Sequence, residues 1–266
     1  TIGLARTAQA LQICRRKIEQ HDVKRMRLVA TEACRRAKNA GEFLKFVQRE
    51  TGLPLEIIQP EEEARLAVVS CAPLVSTRTE QLLVVDIGGG STELVWIDLS
   101  AVPRADRPRA IMRLHAGFHP PESPFPAAKV VDWISVPLGV ATLKDQFADV
   151  EDDNARFALM SWFFEENLAD FSPYSASQAR EHFQIIGTSG TVTTVAASHL
   201  GLKRYDRTKV DGLRMTTDQI DRVIQSYLHM GPEGRRTDPR IGRDRHSLIM
   251  SGAAILQALM RLWPTD

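Results

Sequence analysis

The stretch LLVVDIGGGSTELVWID, from Leu82 to Asp98, decides the fold of this chain. An apolar run ends at an aspartate, three consecutive glycines follow, and a second run of branched and aromatic residues comes soon after them. Because residues 94–97 are typical of a strand, the glycines are predicted to lie in a strand–turn–strand. A Rossmann or Walker loop would instead lead into a helix. A structural turn needs one or two glycines, so the third requires another explanation.

The glycine turn has the residue types of a phosphate and metal site. Backbone amides without Cβ atoms let an anion approach closely, so Gly88, Gly89 and Gly90 are candidate phosphate ligands. Ser91 and Thr92 add hydroxyl donors, and Asp86 at the end of the first strand is suited to hold a hydrated divalent cation. The alternative is a glycine-rich hairpin beside a solvated aspartate, which this combination of residues disfavours.

A second glycine loop occurs about 100 residues later, in IIGTSGT at 185–191. The pattern predicts a strand, a loop and the start of a helix, so the amides of Thr188, Ser189, Gly190 and Thr191 would point at an anion. Taken alone, this string also fits an ordinary capped turn. Two such loops in one half of the chain favour phosphate binding.

Three charged stretches leave alternatives open. QPEEEARL places three carboxylates at a helix start, where such residues usually complement the helix dipole, and the spacing does not single out Glu63. In VATEACRRA, Arg35 follows a strand end by five residues, and by spacing it either binds phosphate or is solvated. GRRTDPRIGRDR is basic and is either a polyanion-binding segment or a solvated linker.

Composition excludes several classes of protein. The 266 residues are 43% hydrophobic and 25% charged, which is typical of a globular protein with one large or two ordinary domains. A net charge of +1 gives no general attraction to nucleic acid or an anionic membrane, so neither partner is expected. No apolar run reaches the roughly 20 residues of a membrane span. The cysteines, Cys14, Cys34 and Cys71, are odd in number and far apart, which favours a reducing cytoplasm over a disulfide framework.

The predicted elements indicate an α/β fold in two domains. Residues 1–76 alternate helix, strand, helix, strand and helix, and the polar STRTEQ segment marks a boundary before a second domain at 77–266. Strands are predicted at 82–87, 93–97, 131–136 and 183–187, and helices follow. Residues 101–130 form a proline-rich, loop-like insertion. Both ends of the chain look abrupt, so we expect it to be a piece of something longer.

Four strings occur in this order along the chain: VATEACRRA, IIQPEEEARL, VVDIGGGSTELV and IIGTSGTV. This combination resembles the exopolyphosphatase and guanosine pentaphosphate phosphohydrolase family (Ppx/GppA). The resemblance covers nearly the whole chain, and the string DIGGGSTE is highly specific. This family belongs to the actin, Hsp70 and sugar-kinase superfamily. The resemblance therefore implies two ribonuclease-H-like domains with phosphates bound in the cleft between them, the first domain being incomplete here.

The same resemblance implies an activity, a cofactor and roles for residues. The activity is hydrolysis of a terminal phosphoanhydride, in inorganic polyphosphate or guanosine pentaphosphate, with a divalent metal that is usually Mg²⁺. Glu63 matches the catalytic glutamate before Ala-Arg-Leu, which would orient or deprotonate the attacking water, and Glu93 would assist. Asp86 would bind metal through water. Phosphate would be held by the first loop, Gly88 to Ser91, by Arg35, and by the second loop with Thr188, Ser189 and Gly190.

The sequence departs from the family pattern in several places. Gln59-Pro60 stand where the family has Ser-Gly, and the proline removes an amide close to Glu63. The Asp-x-Gly-Ser-Asn-Ser loop that opens the family's first domain does not occur, and neither do that domain's first three strands. A closing strand after Pro264 is also missing, so the chain looks like the middle of a longer member. The 101–130 insertion is longer and richer in proline than usual.

Two other functions stay open at this point. One is an ATP-dependent, kinase-like member of the same superfamily, against which the lack of a recognisable adenosine pocket weighs. The other is a non-catalytic sensor that binds guanosine tetraphosphate or pentaphosphate and signals through a partner. A homodimer is one assembly that the sequence allows.

Overall fold

The computed structural model describes residues 2–118, 126–175, 182–242 and 245–265. The chain divides into two compact units, Thr1–Glu63 and Ala64–Asp266, and the division falls within one helix. Each unit is described below by itself. The domain boundary near residue 76 stays a prediction.

The first unit contains short strands between helices. Its elements are α1 (Ile2–Gln20), β1 (Val29–Ala30), α2 (Glu32–Arg36), α3 (Ala40–Thr51), β2 (Glu56–Ile57) and the first turn of α4 (Pro60–Ser70). The strands β1 and β2 pair in parallel, with Val29 opposite Glu56. The predicted alternation of helix and strand is confirmed. The strands are shorter than predicted, and Val29 is exposed rather than buried.

The second unit is built on a mixed four-stranded sheet. Its strands are β3 (Gln81–Ile87), β4 (Thr92–Asp98), β5 (Lys129–Val136) and β6 (Phe183–Thr188), and its helices after α4 are α5 (Arg107–Met112), α6 (Val140–Gln146), α7 (Asp153–Glu166), α8 (Gly190–His199), α9 (Arg207–Val210), α10 (Thr217–Thr237) and α11 (Ile249–Leu262). The strand order is β5-β4-β3-β6. The pairs β5–β4 and β4–β3 are antiparallel, whereas β3 and β6 are parallel. All four predicted strands are therefore confirmed.

Both faces of this sheet are buried, which explains why β3 and β4 are apolar almost throughout. Alternate residues of β3 and β4 face two separate cores: Leu83, Val85, Ile87, Leu94 and Trp96 pack with α7, α8, α10 and α11, and Leu82, Val84, Val95 and Ile97 pack with α4 and α5. Helices on both faces hold the central strands rigidly. The carboxyl end of β3, where Asp86 lies, is thereby fixed in the fold.

The insertion at 101–130 is more ordered than predicted. It contains the helix α5, whose start carries a proline in its first turn, a position that favours helix initiation. Arg107 is buried there and donates to the carbonyl oxygens of Val102 at 3.2 Å and Thr77 at 3.1 Å. Ile111 is fully buried in the core beside α4. Residues 119–125 of the insertion lie outside the described residues.

A membrane span was not expected from the sequence. Among the helices that the structure describes, none combines the length and the apolar character needed to cross a bilayer.

The thiol of Cys71 is expected to be unreactive in the folded protein. Its side chain is buried in the core beside α4, and this burial raises the pKa of the thiol to about 11. Since the thiolate is the nucleophile, dithionitrobenzoate at pH 8 should label the exposed Cys14 quickly and Cys71 only after unfolding. In Cys14→Ser the fast phase should lose the contribution of Cys14, and the half-buried Cys34 is then the remaining thiol outside the core. Labelling of native Cys71 as fast as that of Cys14 would contradict its burial.

Candidate functional site

The carboxyl ends of β3 and β6 bring Asp86 and Thr188 together. These residues are direct partners in the parallel register of the two strands. The Thr188 hydroxyl donates a hydrogen bond of 2.6 Å to Oδ1 of Asp86. The predicted metal residue and one predicted phosphate residue, which are 102 positions apart, thus form a direct contact.

Glu93 lies beside Asp86 on the neighbouring strand. The antiparallel register of β3 and β4 places the two residues opposite each other, so their side chains share one face of the sheet. Glu93 is buried, and Ser135 of β5 donates to its Oε1 at 2.7 Å. Ser135, Glu93, Asp86 and Thr188 therefore form one row across all four strands. Two adjacent carboxylates repel each other, and a cation between them would relieve that repulsion.

The glycine turn connects β3 and β4, as predicted. The Gly88 amide donates to the carbonyl oxygen of Ser91 at 2.9 Å and closes the turn. A Cβ atom on Gly88 would lie only 2.8 Å from that oxygen, which explains the first glycine. Among the described residues, the amides of Gly89, Gly90 and Ser91 meet no hydrogen-bond acceptor.

The start of α6 holds the other side of this turn. Val140 N–H donates to the Gly88 carbonyl and Ala141 N–H to the Gly89 carbonyl, each at 2.9 Å. In a trans peptide the carbonyl and the following amide point in opposite directions. Because the carbonyls of Gly88 and Gly89 face α6, the amides of Gly89 and Gly90 face away from it. An anion on that side would meet bare donors.

The second loop opens α8, also as predicted. Ser189 is the N-cap residue, and its Oγ accepts from the Thr191 amide at 3.2 Å. Its φ angle is 119°, which is uncommon and strained for a residue with a side chain. Strain of this kind clusters at binding and catalytic sites.

The side chain of Arg245 contacts the start of α8. The sequence patterns did not identify this residue as a site candidate. Its guanidinium donates to the Gly190 carbonyl at 2.7 Å and to the Thr194 hydroxyl at 2.6 Å. A cation at a helix N-terminus opposes the dipole, so this arrangement suits a site that receives an anion. The only signal in the sequence was the basic character of the GRRTDPRIGRDR segment, which does not indicate which arginine contacts the loop.

The first unit brings Glu63 and Arg35 together. Arg35 Nη2 lies 2.7 Å from Oε2 of Glu63, and Arg35 Nη1 donates to the Ile58 carbonyl at 2.8 Å. Glu32 binds the same guanidinium at 3.1 Å. The side chain of Arg35 is 11% exposed and that of Glu63 is 16% exposed. The pair is therefore held in a partly dry environment, where Arg35 fixes the direction of the Glu63 carboxylate.

The residues of the second unit fit a hydrated magnesium ion. Among the described residues there is no group of three or more His, Cys, Asp or Glu side chains that would enclose a metal by themselves. Magnesium keeps several waters and is usually bound by one or two carboxylates together with substrate phosphates. The oxygen ligands of Asp86 and Glu93, beside the bare amides of the glycine turn, match that donor set.

Known proteins resemble this chain in sequence and in fold. A sequence model of the Ppx/GppA phosphatase family matches residues 1–266. The crystal structure of the Aquifex aeolicus Ppx/GppA family member is 30% identical, with a TM-score of 0.70 over 99% of this chain and 75% of that one. An exopolyphosphatase-like protein is 28% identical, with a TM-score of 0.77 over 97% and 74% of the two chains.

A more distant structure shares the fold alone. It is an exopolyphosphatase from Cytophaga hutchinsonii, 18% identical, with a TM-score of 0.75 over 99% of this chain and 76% of that one. The mixed α/β fold predicted from the sequence is thus confirmed. Together with the match along the whole sequence, the comparisons show that the chain belongs to the Ppx/GppA phosphatase family, a family of hydrolases.

Proposed function

We propose that this chain hydrolyses terminal phosphoanhydride bonds and releases phosphate from inorganic polyphosphate or guanosine pentaphosphate. The observation that carries the proposal is the glycine turn. The amides of Gly89 and Gly90 face away from α6, next to the carboxylate pair of Asp86 and Glu93. Phosphoryl transfer depends mainly on positioning and on neutralising charge, which oriented amides and a cation provide.

In this proposal the second unit binds the phosphates. The amides of Gly89, Gly90 and Ser91 would donate to phosphate oxygens, and the N-terminus of α8 at Ser189 and Gly190 would bind a further phosphate. Asp86 and Glu93 would hold Mg²⁺ through its water ligands. When bound, the ion would neutralise negative charge on the phosphate oxygens. The Thr188 hydroxyl keeps the Asp86 carboxylate oriented for this role.

Glu63 would act as the general base, oriented by Arg35. It would accept a proton from water while the water oxygen forms a bond to the terminal phosphorus. The bond from phosphorus to the bridging oxygen would break, and the shortened chain would leave with that electron pair. Arg35 would also donate to phosphate oxygens, a geometry for which its planar fork is suited.

Inorganic polyphosphate is the substrate to test first. One structurally similar protein, 28% identical to this chain, is an exopolyphosphatase-like protein. The amide donors of the glycine turn suit a repeating phosphate chain, since each phosphate needs only amide and cation contacts. Guanosine pentaphosphate is the second substrate.

Asp86→Asn should lower magnesium-dependent phosphate release from long-chain polyphosphate by about 10²-fold and raise the magnesium concentration required, because a charged ligand is lost. Phosphate release should be measured for wild type and variant over a range of Mg²⁺, with guanosine pentaphosphate in parallel. Asp98→Asn is the matched control, since it makes the same charge change at the far end of β4. An unchanged magnesium requirement in Asp86→Asn would contradict the assigned role.

The same assay separates the two other functions. A sensor would bind guanosine tetraphosphate or pentaphosphate without releasing phosphate from any substrate. A kinase-like enzyme would consume ATP only when an acceptor is present. Either result with the wild-type chain would overturn the hydrolase proposal.

A further inference from the structure

The side chain of Thr142 completes the contact between α6 and the glycine turn. Its Oγ1 accepts from the Gly139 amide at 2.8 Å and lies 3.2 Å from the Gly90 carbonyl and 3.3 Å from the Gly139 carbonyl. A hydroxyl has one proton and two lone pairs. One lone pair therefore binds Gly139 N–H, and the proton is shared between the two carbonyls.

The Thr142 hydroxyl determines the direction of the Ser91 amide, because it contacts the Gly90 carbonyl, which the backbone amides of α6 do not contact. The helix amides bind the carbonyls of Gly88 and Gly89, and Thr142 Oγ1 is the group of α6 that contacts the Gly90 carbonyl among the described residues. The Gly90 carbonyl and the Ser91 amide belong to one peptide unit and point in opposite directions. Ser91 is buried, and holding the Gly90 carbonyl against α6 therefore turns the Ser91 amide away from α6, as the amides of Gly89 and Gly90 are.

The helix that carries Thr142 is itself fixed to the core. Ser251 of α11 donates to the Val140 carbonyl at 2.6 Å, and both Ser251 and Leu143 are buried. The turn is thus connected through α6 to a rigid layer of helices. A carbonyl that accepts a hydrogen bond also polarises its peptide unit, which makes the attached N–H a stronger donor.

We propose that Thr142 is a positioning residue for the phosphate loop: through the Gly90 carbonyl it sets the direction and strength of the Ser91 amide as an anion donor. The inference rests on the proposed function for the identity of the anion, a chain of phosphates. Thr142 does not itself touch the substrate.

A purely structural role predicts a different result. Thr142 also accepts from the amide of Gly139, the N-cap residue of α6, so its loss could weaken that helix without changing the loop. Thr216 is the N-cap residue of α10, where its hydroxyl accepts from the Gln219 amide, and it is no part of the loop. Thr216→Val is therefore a matched control for the loss of a capping hydroxyl.

The test compares Thr142→Val, Thr142→Ser and Thr216→Val by two-dimensional NMR of the amides of Gly89, Gly90 and Ser91, titrated with tripolyphosphate. In Thr142→Val the Ser91 amide signal should move and tripolyphosphate should bind about 10-fold more weakly, as for loss of one well-directed hydrogen bond to a charged group. Thr142→Ser should restore both values, and Thr216→Val should leave them at the wild-type level. With polyphosphate, Thr142→Val should raise KM more than it lowers kcat.

Three results would overturn the inference: an unmoved Ser91 signal in Thr142→Val, wild-type affinity in that variant, or an equal loss in Thr216→Val. If Thr142→Val does not fold, Thr142→Cys takes its place, since a thiol is only a weak donor. Failure of the proposed function is a separate result. If the wild-type chain releases no phosphate and binds no tripolyphosphate, the hydrolase proposal fails, and the Ser91 signal still decides whether Thr142 sets the direction of that amide.

Discussion

Replacing Glu63 with glutamine is expected to lower phosphate release by about 10²- to 10⁴-fold, the usual contribution of a general base. The amide has nearly the shape of the carboxylate, and its oxygen can still accept from Arg35, which keeps its ion pair with Glu32. The folded structure and the binding of phosphate should therefore be preserved. What is lost is the ability to take a proton from water.

The measurement for Glu63→Gln has two parts. Phosphate release is followed at saturating polyphosphate and Mg²⁺, and binding of tripolyphosphate is measured by calorimetry. Glu61→Gln is the control, because it removes the same charge from the same first turn of α4. The Glu61 side chain makes no hydrogen bond or ion pair within the described part of the chain. Turnover of Glu63→Gln within about twofold of wild type would show that another group activates the water.

Replacing Gly139 with alanine is expected to abolish most of the activity through the glycine turn. A Cβ atom on Gly139 would lie 2.5 Å from the Gly89 carbonyl carbon and 2.6 Å from its oxygen, and it would also overlap the Gly88 carbonyl. These are backbone atoms, so the turn itself must move. A displacement of about 1 Å at a reacting group can cost about 10²-fold in rate, and overpacking of this kind costs about 1–3 kcal/mol of stability.

Activity and denaturant unfolding of Gly139→Ala should be measured together. Gly41→Ala is the matched control, because a Cβ atom there meets nothing within 4 Å. Gly41 is in α3, where alanine should leave stability unchanged or raise it by up to about 1 kcal/mol. If Gly139→Ala keeps full activity, the position of the loop carbonyls against α6 does not matter for the reaction, and the site must bind phosphate in another way.

The local parts of this protein could be predicted from short stretches of sequence. The strand–turn–strand at Asp86 depends on β-branched residues next to consecutive glycines, and the start of α8 depends on a capping serine before Gly190. Each pattern involves fewer than about ten neighbouring residues, whose sterics and hydrogen bonds act locally. The motifs also indicated the family, and the match along the whole chain confirmed that assignment.

One local signal was overlooked in the sequence. The insertion at 101–130 was expected to be a loop because it is rich in proline. However, Pro108 stands in the first turn of α5, where its fixed φ angle favours a helix and its missing amide costs nothing. Proline content alone therefore did not distinguish a helix start from a loop.

The tertiary structure alone decided which distant residues meet. The hydrogen bond from Thr188 to Asp86 requires β6 to pair in parallel with β3, and the row that includes Glu93 requires the register of β4. No pattern of spacing specifies the neighbours of a strand more than 100 residues away, because that choice depends on which faces can be buried together. Likewise, only packing shows that α6 holds the carbonyls of the glycine turn. The residue types of the proposed phosphate site were thus determined locally, whereas the direction in which its amides point was decided by the fold.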